Sequence, residues 1–175
     1  YTAVPVIVDM DTGQAMNINT NAAGSFSGIE TLVGGQSNVI FGTSGDDTII
    51  GGAGNDTLVG RGGDDVYIFA PGWGVDTVIE LENEGNDTLD FSAQVNALLL
   101  QLNNAEILIT EGANRVTHTG SGGYSNIENF IAGSAADRHR RRAGVGAWLR
   151  KQSAKNGAAS DDGVAAKVAT GAFVA

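Results

Sequence analysis

The chain contains no cysteine, which excludes a disulfide framework and a thiolate metal site but leaves an extracellular home open. Proline occurs twice against 26 glycines, without a collagen period, a balance that suits a turn-rich β protein. There are two histidines, His118 and His139, and neither lies in an HExxH pattern. His118, between Thr117 and Thr119, reads as a strand residue. No G-x-S-x-G elbow marks a lipase or esterase. No apolar run approaches the length of a transmembrane helix, and no basic then apolar leader opens the chain. The first residue is Tyr and not Met, so the chain is expected to be part of something longer. Bases are nearly missing from residues 1–137, which hold 18 of the 20 acids against Arg61 and Arg115, a net charge of −16. Such an acidic body fits a cation binder and argues against nucleic acid. Residues 138–175 reverse the sign, with eight bases and two acids.

What is present is a rhythm. Residues 42–68 read GTSGDDTII, GGAGNDTLV and GRGGDDVYI, three units of nine. In each, Gly stands first and fourth, Asp sixth and a large apolar residue eighth. Nine residues are too few for a helical hairpin, but suit a six-residue turn and a three-residue strand. Alternation sends Leu58 to one face and Thr57 and Val59 to the other. A strand that short buries nothing alone, so copies must stack, with Ile49, Leu58 and Tyr67 filling a shared core. Two units then make one coil, and turns on the same edge come from units 18 residues apart. Carboxylates crowded in this way repel unless a cation sits between them, and an all-oxygen cage suits Ca2+. The expected fold class is all-β: a short parallel β-roll with flanking strands and an irregular or partly helical C-terminal tail.

Around this array, residues 3–10 alternate as a strand, DTGQ is a turn, and 17–28 reads as a polar loop. A worn unit precedes the array, with Asn38 in the Asp place and Ile40 in the apolar place. After Asp65 the step lengthens to eleven, reaching Asp76 and then Asp87. For Asp76, Asp87 and Asp137, a turn or cap role and a ligand role are about evenly balanced. Phe69, Trp73 and Phe91 are expected to cap the open end of the core, with one or two further strands over 76–91. Residues 95–119 read as antiparallel strands with Asn/Gly turns. The acids Glu82 and Glu84 read as a solvated rim. SNIENFIAG at 125–133 then echoes SGIETLVGG at 27–35 at a constant offset of 98, so a second array is expected near Gly133 and Asp137. Instead the Gly/Asp rhythm stops and Arg138–Arg142 begins a basic tail. A shifted reading frame after about Asp137, a genuine basic tail and a helix over AWLRKQSAKN are the three readings. The expected divisions are 1–32, an N-terminal β lead-in; 33–92, the roll with its cap; 93–137, a β segment with the second lead-in; and 138–175, the tail.

The three units, the VYIFAPGWGVDTVIELENEGNDTLDFSA segment and the duplicated S-x-I-E lead-in resemble the RTX, or hemolysin-type calcium-binding repeat, regions of large secreted bacterial proteins. The resemblance covers most of residues 27–137. It implies a roll with Ca2+ in its turns, a chain exported unfolded by type I secretion machinery, and folding outside the cell. By resemblance, the side-chain ligands are Asp47, Asp56 and Asp65. Carbonyls of the turns built on Gly42 and Gly45, Gly51 and Gly54, and Gly60 and Gly63 complete the shells. Pairing by 18 sets Asp47 against Asp65 as the better site and Asp56 against Asn38 as the poorer one. Asp46 and Asp64 are expected to act by local charge more than as ligands. Arg61, in a glycine place, either weakens its turn or pairs with a nearby acid. The function expected is a non-enzymatic calcium-binding module of a secreted or cell-surface protein. The alternatives are the repeat tail of a secreted protease or lipase, and an adhesin module binding carbohydrate or cell surfaces.

Overall fold

The computed structural model describes residues 5–17, 23–25, 27, 30–81, 84–102, 107–119, 126–135, 137–141 and 173–174. The lead-in forms β1 (Val6–Asp9), β2 (Gln14–Asn17), β3 (Ala23–Ser25) and β4 (Thr31–Val33). The repeats then supply one three-residue strand each: β5 (Val39–Phe41), β6 (Thr48–Ile50), β7 (Thr57–Val59) and β8 (Val66–Ile68). The eleven-residue steps give β9 (Val75–Ile79) and β10 (Thr88–Asp90). Next come β11 (Leu99–Leu102), β12 (Ile107–Glu111) and β13 (Asn114–Thr119), then β14 (Asn129–Ile131), β15 (Asp137–Arg141) and β16 (Phe173–Val174). Among the described residues there is no α-helix.

From β4 to β10 successive strands alternate between two sheets, which is the β-roll. The smaller sheet is parallel throughout, in the order β14-β10-β8-β6-β4. The larger runs β16-β15-β11-β12-β13-β9-β7-β5-β1-β2-β3, parallel from β1 through β5, β7 and β9 to β13. Each three-residue strand of the roll, from β5 to β8 and again at β10, sends its middle side chain inward. Ile40, Leu58 and Val78 line one sheet and Ile49, Tyr67 and Leu89 the other, all fully buried. Register extends both columns. Val8 pairs with Ile40, and His118 pairs with Val78, so His118 holds a core position on β13. Burial drops its pKa to about 4, and as a neutral ring it serves as packing.

The antiparallel strands expected over 95–119 are β11, β12 and β13. The polar stretch 17–28 is not all loop, because Ala23–Ser25 adds a third, wholly exposed strand to the β1–β2 hairpin. Its small residues carry little strand propensity, and the neighbouring hairpin edge decides the pairing. Phe69, Trp73 and Phe91 lie inside the stack, not over its end. Phe69 and Phe91 stack at 4.6 Å, Trp73 meets both edge-on, and β13 and β14 continue the sheets beyond them. The echoing segments at 27–35 and 125–133 supply β4 and β14, the two outer strands of the smaller sheet. Of the basic tail, 138–141 continue β15 and 173–174 form β16. The proposed helix at 147–156 and Arg142 lie outside the described residues.

Gly54 and Gly63 are two of the seven glycines with positive φ among the described residues. Gly54 has φ +121° and Gly63 φ +107°, and a Cβ on Gly63 would strike the backbone of Gly45 and Asp46 one coil away. Gly45 stands in the same unit position but meets only Thr43 Oγ1, at 3.8 Å. Gly63→Ala is therefore expected to cost more than about 1 kcal/mol of unfolding free energy, and Gly45→Ala under about 0.5 kcal/mol, in urea denaturation with calcium present.

Candidate metal centre

The turns stack along two edges. On the first, the segments leading into β6, β8 and β10 bring Asp47, Asp65 and Asp87 into line. On the second, the segments leading into β5, β7 and β9 align Asn38, Asp56 and Asp76. All six side chains are buried. One oxygen of Asp56, Asp65, Asp76 and Asp87 is tied to the coil before it, while Asp47 Oδ2 accepts from Thr43 in its own turn, from the N–H at 2.6 Å and the hydroxyl at 3.0 Å. Asp65 Oδ1 accepts the Asp47 N–H at 2.8 Å, and Asp87 Oδ1 accepts the Asp65 N–H at 3.0 Å. Glu128 Oε2 accepts the Asp87 N–H at 2.9 Å. On the second edge, Asp56 Oδ1 accepts from the Asn38 N–H at 2.5 Å and from Asn38 Nδ2 at 3.0 Å. Asp76 Oδ1 accepts the Asp56 N–H at 2.9 Å. The partners are 18 residues apart within the repeats and 20 or 22 apart beyond them.

The other oxygens are the informative ones. Asp47 Oδ1, Asp56 Oδ2 and Asp65 Oδ2 are buried without a hydrogen-bond partner. A buried anionic oxygen left bare is costly unless something neutralises it. The first glycine of each unit makes room for these groups. A Cβ at Gly42 would come within 2.7 Å of Asp47 Oδ2, and one at Gly51 within 2.7 Å of Asp56 Oδ2. At Gly60 it would collide with the Asp65 carboxylate. An oxygen-lined space with unsatisfied carboxylate atoms fits a hard cation such as Ca2+.

Residues 33–67 match the family model of the RTX calcium-binding nonapeptide repeat, in 4 copies. This stretch is an RTX calcium-binding repeat array. No curated protein matches the chain. The fourth copy is the worn unit with Asn38, ahead of the units beginning at 42, 51 and 60. Within the RTX array, Asp56 does not face Asn38 alone, since Asp76 stands on its other side. Asp46 and Asp64 lie outside the buried line and are exposed, where Asp46 Oδ1 accepts the Asp64 N–H at 2.8 Å. Arg61 pairs with Asp9 at 2.9 Å, lies over the Phe41 ring and donates to the Gly42 carbonyl at 2.7 Å. Its φ of +76° carries the strain of a non-glycine residue in a glycine place. The carbonyl of Gly42 is thus engaged by a guanidinium, which pulls Asp9 down to a pKa of about 2.

Sequence reasoning left Asp76 and Asp87 undecided and missed Glu128 and Glu80. The signal was present but hidden by the eleven-residue steps. Aligning strand on strand, with Thr77 on Thr57 and Val78 on Leu58, sets Asp76 beside Asp56 and Glu80 beside Gly60. Glu82 lies outside the described residues, as does the side chain of Asp137.

Burial raises the carboxyl groups of Asp65 and Asp76 to about 7, Asp87 to about 6 and Glu80 to about 9. Acids with raised folded pKa values hold protons that the unfolded chain has lost. Calcium-free stability is therefore full below pH ~4 and falls as pH rises through about 6 to 9. His118 acts in the opposite sense, one group against these four acids and Asp56, which burial also raises. Without calcium, the melting temperature is expected to fall between pH 5 and pH 8, followed by circular dichroism. With saturating calcium it should hold or rise, since the ion needs the ionised carboxylates.

Proposed function

We propose that this chain is a calcium-dependent folding module of a secreted or cell-surface bacterial protein, with residues 33–92 as its calcium-binding section. The observation that carries the reading is the row of buried, unpartnered oxygens on Asp47, Asp56 and Asp65 within stacked RTX turns. Asp47 with Asp65 and Asp56 with Asp76 would hold ions through those carboxylates, with turn carbonyls completing the shells. Arg61 on the Gly42 carbonyl would limit that turn's share. The role is one of binding and linkage, with no catalytic step.

The mechanism follows from charge. In a calcium-poor compartment the ionised carboxylates oppose stacking, and the chain stays open. An ion that binds only the folded form stabilises it by RT ln(1 + [L]/Kd), about 2.7 kcal/mol per site at 100 Kd. RTX repeats are typical of secreted bacterial proteins, and export unfolded by type I machinery followed by folding in a calcium-rich exterior suits this switch. The acidic composition supports the reading, since a net charge far from zero keeps the open chain soluble while making compaction dependent on cations.

Isothermal titration with calcium tests the ligand assignment. Asp65→Asn, between Asp47 and Asp87, should lose the most affinity, at least about tenfold, which corresponds to ~1.4 kcal/mol. Asp56→Asn should weaken binding on the other edge. Asp90→Asn, half-buried on β10 and outside the line, should bind as the wild type does. Equal affinity in all three variants would remove the assignment.

A further inference from the structure

Beyond the array, Glu80 stands out. It follows β9 directly, in the column that Gly42 and Gly60 occupy on the same edge. Where those glycines leave space, Glu80 puts a carboxylate into it, and it is fully buried. One oxygen accepts the hydroxyl of Tyr67, itself fully buried in the core. The other oxygen, Glu80 Oε2, has no partner. The main-chain carbonyl of Glu80 is fixed by Asn126 Nδ2 at 3.1 Å. The residue is therefore held at its main chain by Asn126 and at its carboxylate by Tyr67, with Oε2 left in a confined space.

That space is shared. Ligand oxygens of Asp65, Glu80 and Asp87 lie within 4.8 Å of one another, and all three residues are buried. Asp65 also contributes an unpartnered oxygen, Oδ2. The charged neighbours acting on Asp65, Glu80 and Asp87 are other carboxylates. Of the nearest bases with described side chains, Arg61 is engaged by Asp9 and Arg115 is exposed. Three buried acids with no basic partner demand a counter-charge. With oxygen the only donor and no sulfur or imidazole present, the fitting ion is hard and prefers many oxygens.

We propose that Asp65, Glu80 and Asp87 form a cation site distinct from the repeat pairs, taking Ca2+ or a trivalent lanthanide, with Tyr67 holding Glu80 in place. It deepens the calcium reading, sharing Asp65 with the Asp47 pair, but it depends on Glu80, which no repeat position supplies. Tyr67 places an aromatic donor beside the ion, so a bound Tb3+ is sensitised by excitation of that ring.

The test uses the whole chain, counts calcium by isothermal titration and follows Tb3+ emission excited through tyrosine. Glu80→Gln keeps the shape and removes the charge, and Asp47→Asn alters only the repeat pair. Glu80→Gln is expected to bind one ion fewer and lose part of the sensitised emission. Asp47→Asn should weaken binding yet keep the emission that depends on Glu80. An unchanged count in Glu80→Gln beside a reduced one in Asp47→Asn overturns this site and leaves the repeat sites standing. A wild type that binds no ion overturns both. Should Glu80→Gln fold poorly, Glu80→Asp decides: it keeps a carboxylate, so the wild-type count must return, and a count still one short overturns the proposal.

Discussion

The structure depends on a shared carboxylate. Asp56, Asp65, Asp76 and Asp87 each spend one oxygen on a backbone N–H of the coil before, and Asp47, Asp56 and Asp65 each keep one oxygen bare. The first bond fixes the spacing between coils, because Asp47 and Asp65 meet only when β6 and β8 are in register. The second oxygen makes the same geometry unfavourable until a positive charge arrives. On the proposed reading strand pairing and cation binding are one event, since three-residue strands bury too little to hold an uncompensated row of acids.

The two edges leave the repeat pattern differently. On the second edge, aromatic rings take the glycine column after β8 and β10, where Phe69 and Phe91 stack. The turn becomes core, and cohesion passes from ion to apolar packing. On the first edge, Glu80 takes that column and keeps it acidic, answered by Tyr67 from within the core. At the other end, Arg61 joins the roll to the β1–β2 hairpin through Asp9, a cation built into the chain where a glycine would otherwise stand. The antiparallel β11–β13 strands extend the larger sheet without needing any such site.

Much of this was legible because the repeat is strict. A fixed Gly, Asp and apolar residue every nine positions gives turn, strand, core column and the 18-residue pairing, as Leu58 and Asp65 illustrate. The limits were equally physical. Once two residues are added per unit, counting from the glycines loses the register that the sheets keep, so Glu80 went unread beside Glu82 and Glu84. The aromatic trio looked like a lid because nothing in sequence shows that β13 and β14 return to the same sheets from far along the chain. Such long-range pairings also placed His118 in the core column and Glu128 at the end of the acid row. Arg61 was readable as a departure, while its partner, 52 residues away, was not.

The central claim is that the acid row forms its backbone bonds only when calcium is present. Amide hydrogen exchange read residue by residue tests it most directly, at the N–H groups of Asn38, Asp47, Asp56 and Asp65. In calcium these four should exchange slowly and together. In EGTA at pH 8 they should exchange as fast as an open chain. Protection that is equally strong in EGTA would contradict the account, because the roll would then stand without its ions.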